Sequence, residues 1–298
     1  MPEGVGRRSI RSLRSTSPAV RGALWAITAA IAFTIMGTLI RVVSQEMSVA
    51  TIVFFRSALG LPVLAFWLLA TGHLECFRTT HTRAHFARAA CGASSLACLV
   101  VAFRNLDFAL ATALAYTTPL FVIVVSVLFL GERPGWKRSL ATGMGFIGVL
   151  VIVRPLPLLE IGVWAALASA LLGAVAVSFV RHLIALESTE TLLFYFYLFV
   201  ALLSLGPMVY DGHVPTAQQF LYLAAISAAG MVGLACAAQA FRLADTTIVA
   251  PFDFLRLPLA SVIGFVFFAE TPDGWLLAGS SIMIISLYGI IAFGRHRV

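Results

Sequence analysis

Asp253 and Arg256 carry opposite charges inside the stretch APFDFLRLPLA, residues 250–260. Two side chains three apart share one face of a helix. A guanidinium grips a carboxylate through two parallel hydrogen bonds, and an aspartate accepts from an ammonium. Together they would hold both ends of a zwitterion. The stretch lies in an apolar run from about Thr246 to Ala269. Arg at the centre of a spanning helix costs about 2.5–3.5 kcal/mol on insertion scales, so Arg256 should be paired and face protein or water. Arg56, after Val53-Phe54-Phe55, is a second arginine in such a run. Tyr116, Thr117 and Thr118 precede Pro119 in a third, where their hydroxyls either line a cavity or pack helices. Pro119, Pro251 and Pro258 mark expected helix breaks. The last two each remove a main-chain donor and free a carbonyl. Two readings of Asp253 and Arg256 stay open: a pair that fixes helix packing, and a polar centre that meets a solute. Arg56 either guards an entrance or snorkels to the headgroups.

The elements that position these residues follow from composition. Hydrophobic residues make up 60% of the 298 and charged ones 11%, and mean hydropathy is +0.99. A bilayer crossing needs roughly 17–25 apolar residues of helix. The runs predict ten: Ala23–Ile40, Thr51–Ala70, Ala84–Phe103, Phe108–Leu130, Ser139–Val153, Gly162–Val180, Thr191–Tyr210, Gln218–Phe241, Thr246–Ala269 and Trp275–Phe293. Lipid offers no partners for main-chain groups, so these runs are helices, and they lack the alternation of barrel strands. The expectation is an all-α polytopic membrane protein in which Arg88 snorkels from the third span.

The net charge of +7 does not imply nucleic acid, because basic residues cluster in short segments between apolar runs. One side collects Arg7, Arg8, Arg11 and Arg14, the Arg78–Arg83 and Arg133–Arg138 segments, Arg181, Arg242, Arg295 and Arg297. The other holds Arg41, Arg104 and Arg154. The bias places both termini in the cytoplasm. Residues 1–20 read as a basic cytoplasmic tail, with the first helix retained.

An internal repeat supports the helix count. Ala102-Phe103-Arg104 with Asp107 recurs as Ala240-Phe241-Arg242 with Asp245, and Glu132 and Pro134 recur as Glu270 and Pro272, all 138 residues on. This divides the chain into repeats at 21–155 and 160–294. Five helices each is an odd number, so the halves have opposite orientation, as in many secondary transporters. At the same offset Asp253 falls on Ala115 and Arg256 on Thr118. The first half builds its equivalent helix without these charges, which favours a site over a scaffold role.

Several segments together resemble the drug/metabolite transporter superfamily, of the EamA-type, ten-helix kind. They are Val53–Arg56, Ala102–Arg104, Pro119 with the Leu130–Arg133 exit, Gly143 to Val149, Ala250–Phe252 and Ala269–Pro272. The resemblance spans nearly all of 20–294. It implies alternating access through a central cavity, no cofactor, and a small metabolite moved across the inner membrane. Amino-acid or other metabolite export is one implied activity, and uptake of S-adenosylmethionine or another nucleoside or vitamin is the alternative.

No HExxH, GxSxG, Walker loop or Cys/His cluster points to an enzyme. Cys76, Cys91, Cys98 and Cys236 read as small buried residues. His73, His81 and His85 read as solvated loop residues rather than metal ligands. Ala141-xxx-Gly145 and Gly279 to Ser281 offer close helix contact, and with it a homodimer face. The partners expected are a small-molecule solute and the lipid bilayer, with no nucleic acid. A receptor or scaffold is the reading from a different class.

Overall fold

The computed structural model describes residues 18–72, 74–130, 135–153, 160–183, 186–244, 249, 252–271 and 273–294. Among them there are helices and turns and no strand. The first elements are α1 (Pro18–Val43), α2 (Val49–Ala58), α3 (Gly60–Ala70) and α4 (Thr82–Asn105). Then come α5 (Phe108–Ala115), α6 (Thr118–Leu130) and α7 (Trp136–Val153). The later ones are α8 (Ile161–Leu183), α9 (Thr189–Asp211), α10 (Ala217–Leu243), α11 (Arg256–Phe268) and α12 (Gly274–Gly294). Counted across their interruptions, seven spans are long and apolar enough to cross a membrane. Shorter apolar helices lie at Ser139–Val153, Arg256–Phe268 and Gly274–Ile290.

Element boundaries recur along the chain. Val43 and Leu183 end α1 and α8, 140 residues apart. Ser48 and Ser188 then cap α2 and α9, accepting from the N–H of Thr51 and Thr191. Gly72 and Gly212 follow at φ 76° and 65°, a left-handed turn that only glycine makes without steric cost. Beyond this the offset becomes 138. Asn105 and Leu243 end α4 and α10, α6 and α11 each run 13 residues, and α7 and α12 start at Trp136 and Gly274.

Packing crosses between these two series. Helix α1 lies on α10, α4 on α8, α2 on α9 and α7 on α12. The α7–α12 contact is made by glycines: a Cβ on Gly148 would stand 2.8 Å from the main-chain oxygen of Gly279. Of the small residues read as a dimer face, Gly145 packs on Leu120 and Ser286 and Gly279 on Gly148, both within the chain. The main core gathers Ile40, Ile52, Val100, Phe108, Leu114, Leu120 and Met283.

Three expectations are corrected. The second span is interrupted at Leu59, the fourth turns at Tyr116–Thr117, and the ninth turns at Phe254–Leu255. Arg88 does not snorkel; it is 9% exposed, donates to the Leu192 carbonyl at 2.7 Å and lies over the Phe196 ring at 4.8 Å. His85 is not solvated, since its Nε2 sits 2.5 Å from Glu187 and its ring stacks on Tyr195. His81 also meets Glu187, at 3.2 Å, and stays partly exposed. His73 lies outside the described residues.

Candidate functional site

The two turns create the site. Apolar spans interrupted at mid-length bring helix beginnings to the interior. There the Thr117 carbonyl takes the N–H groups of Leu120 and Phe121, and the Phe254 and Leu255 carbonyls take those of Leu257 and Leu259, so side chains carry the chemistry of the site. Thr118 opens α6 and Arg256 opens α11. Both line one cavity of about 360 Å³, together with Phe33, Tyr116, Pro119 and Asp253. Its remaining walls come from α1, α4, α5 and α8, including Ser95 of α4, Thr112 of α5 and Ser169 of α8.

Asp253 and Arg256 meet directly. Arg256 Nη2 stands 2.6 Å from Asp253 Oδ1. The pairing has a local reason: a cation at a helix N-terminus faces the positive end of the dipole, and an acid beside it relieves that. The guanidinium lies over the Phe33 ring, 4.1 Å from its centre. Its Nε is buried without a hydrogen-bond partner. Tyr116 donates its hydroxyl to the Asp253 carbonyl at 2.6 Å, and its ring lies 5.8 Å from that of Phe254. Tyr116 therefore both lines the cavity and packs helices.

The other expected residues separate. Thr118 lines the cavity and donates to the Ala115 carbonyl. Pro119 and Pro258 occupy the first turns of α6 and α11, where a missing N–H costs no helix bond. Pro258 faces outward, and Pro251 lies outside the described residues. Arg56 is 7% exposed and its Nε has no partner. It packs against Gly230 beside Met36. Met36 lines the cavity and Arg56 does not.

Phe33, Ser95, Thr112 and Ser169 were not anticipated. Phe is too common in this chain to single one out, and lone Ser or Thr residues in apolar runs read equally well as packing. The signal available was the second-half charge: an arginine in lipid needs a wall, and an aromatic face supplies one.

Two polar clusters tie the series together away from the cavity. Arg41 bonds the Phe103 carbonyl and reaches Glu270 at 3.3 Å, while Glu270 accepts from the Phe108 N–H at 2.7 Å. Phe103 and Phe108 are themselves cavity residues. Burial pushes the Glu270 carboxyl above its ordinary value; the Phe108 N–H lowers it, Asp107 adds to the rise and Arg41 opposes it. At the second cluster, Glu187 accepts from Thr79 and bonds His81 and His85. Burial alone would raise Glu187, but bonds from Thr79, His85 and His81 outweigh it and hold the carboxyl low. No group of three or more His, Cys, Asp or Glu suited to a metal ion occurs among the described residues.

Residues 20–154 match the EamA-like transporter family. The chain is 31% identical to the pseudopaline exporter CntI of Pseudomonas aeruginosa, over 93% of this chain and 96% of that one. It is 31% identical to a riboflavin transporter of Rhizobium johnstonii over 90% of each. It is 30% identical to an S-adenosylmethionine uptake transporter of Rickettsia felis over 61% of this chain and 62% of that one. A solved crystal structure shares the fold at a TM-score of 0.63 and 19% identity, covering 91% of this chain and 96% of that one.

Proposed function

The chain belongs to the EamA-like transporter family, and from that premise we propose that it carries an amino acid or a related zwitterion or carboxylate across the inner membrane by alternating access. Ten spans in two inverted five-helix repeats form the carrier. The recurring element boundaries support the repeat, as does the crosswise packing of α1 on α10 and α4 on α8. The basic residues support cytoplasmic termini.

The observation that carries the substrate reading is the Asp253–Arg256 pair at the wall of the cavity where two interrupted helices begin. Secondary transporters bind solutes at such points, with half-helix N-termini toward the anionic group. Arg256 takes the carboxylate, and Asp253 takes the ammonium. Tyr116 and Thr118 complete the wall. Arg56, behind Met36, belongs to the entry path. The Arg41–Glu270 and Glu187 clusters hold the two repeats together, and exchange of such contacts accompanies their rocking. Uptake of S-adenosylmethionine is the second reading. It is favoured by the relative in Rickettsia felis and by the rings of Phe33 and Tyr116 in the cavity.

Liposomes containing only the purified protein test both readings. A thermal-shift screen of amino acids, S-adenosylmethionine, nucleosides and sugars selects the solute, and its labelled form is then followed into the vesicles. Accumulation above protein-free vesicles is the expected result. A receptor or scaffold gives none.

A further inference from the structure

Hydroxyl protons decide what this cavity offers a solute. Six hydroxyl-bearing residues line it: Thr34, Ser95, Thr112, Tyr116, Thr118 and Ser169. Thr34 donates to the Ala30 carbonyl at 2.8 Å, Thr112 to Phe108 at 2.7 Å and Thr118 to Ala115 at 2.8 Å. Tyr116 donates to the Asp253 carbonyl. Ser95 donates to the Ser169 carbonyl at 2.8 Å, which leaves Ser169 as the donor in the 3.3 Å contact between the two hydroxyls. Each proton is committed within the protein. A hydroxyl has one proton and two lone pairs, so all six have only lone pairs left to present.

Charge points the same way. Asp253 and Arg256 are the charged residues among the described lining residues, one of each sign. No Asn, Gln, His, Lys or Trp is among them. Arg256 is therefore the one lining side chain with donors to spare, and one of its nitrogens is already held by Asp253. A solute bearing only carboxylates would meet one partly neutralised cation and a wall of acceptors. A protonated amine would meet the Asp253 carboxylate, likewise shared with Arg256, but also a wall of hydroxyl lone pairs that it can donate to.

We infer that the cavity selects solutes carrying a free protonated amine, read by Asp253 and by the lone pairs of Thr112 and Thr118, with Arg256 donating to a carboxylate alongside. This rests on the transport reading above and narrows it: a carboxylate alone does not suffice, and the free amine is required.

The test uses the full chain in detergent at neutral pH, with leucine, phenylalanine and methionine as probes. Each is compared with its des-amino carboxylate and its N-acetyl derivative by thermal shift, and each labelled form is followed into liposomes. The expected result is stabilisation by one or more amino acids and none by their two derivatives. Thr112→Val and Thr118→Val, close in shape but without the hydroxyl, should each weaken amine binding roughly two- to tenfold, the loss of one neutral hydrogen bond. Thr112→Ser should restore it. Equal or stronger binding by the des-amino carboxylates overturns this inference and leaves the carrier standing, because uptake is read separately. Amine affinity unchanged in both valine variants overturns the role of the lone pairs. If no probe of any series binds or enters, the zwitterion reading itself falls, and this inference with it.

Discussion

The Tyr116 hydroxyl donates to the main-chain carbonyl of Asp253 at 2.6 Å, so the turn that interrupts one apolar span is fastened to the turn that interrupts another. The two rings at these turns, Tyr116 and Phe254, are 138 residues apart and lie 5.8 Å from each other. Equivalent points of the two series thus meet at the cavity. Tyr116→Phe removes that bond alone. It should cost about 1 kcal/mol, a small fall in Tm, and a larger loss of solute uptake because Asp253 loses its anchor. A uniform loss of both would make the bond a packing feature.

Arg256→Ala should abolish uptake while lowering Tm by only a few degrees. Arg256→Lys should recover little, because an ammonium lacks the planar fork that both faces Phe33 and grips a carboxylate. If Arg256→Ala and Asp253→Ala each lose stability but the double variant regains stability and full uptake, the pair is structural and the site assignment is wrong.

Gly148→Ala places a Cβ 2.8 Å from the Gly279 main-chain oxygen. Main chain cannot rotate aside, so α7 and α12 must separate. The expected cost is about 1–3 kcal/mol, read as a lower Tm with the solute affinity of the surviving protein unchanged. Gly143→Ala, where a Cβ meets nothing within 4 Å, is the control.

Glu187 and Glu270 should respond to pH with opposite sign. Glu187 is held below its ordinary 4.5, so its contribution is present above pH 4.5 and is lost as pH falls through the lowered value. Glu270 is raised above 4.5, so its contribution is full below pH 4.5 and is lost as pH rises through the raised value. At neutral pH, Glu187→Gln should therefore lower Tm more than Glu270→Gln, and the Glu187 deficit should shrink as pH falls below 4.5. Parallel Tm profiles for wild type and Glu187→Gln would remove the His81–His85–Glu187 cluster as a source of stability.

Orientation is checked by cysteine accessibility in intact cells. A cysteine at Ser9 should resist an impermeant reagent, and one at His213, in the turn after α9, should react. Labelling at position 9 would invert the assignment.

Much of this architecture was legible in composition and spacing. Apolar length marked the helices, seven of them long and apolar enough to cross a membrane, and the 138-residue recurrence of Phe103-Arg104 at Phe241-Arg242 returns in the ends of α4 and α10. The meeting of Asp253 and Arg256 followed from helical spacing, although the chain turns between them. The turns were harder to read. Tyr116-Thr117 and Phe254-Leu255 contain no breaker, and Pro119 and Pro258 occupy first turns rather than the gaps. Arg88 was misjudged because a carbonyl and a ring over a hundred residues away satisfy it. His85 was misjudged for the same reason, its partner being Glu187. Local sequence shows what a polar group needs and does not show which distant segment provides it.

The crosswise packing also has a consequence for synthesis. Arg41, His85 and Arg88 emerge from the ribosome early, yet Glu270, Glu187 and the Leu192 carbonyl that satisfy them come much later. Until the later helices insert, the early ones lack these long-range partners, a costly condition for polar groups at membrane depth. The contacts of the early helices are therefore complete only once Glu270, in the segment between α11 and α12, has been made.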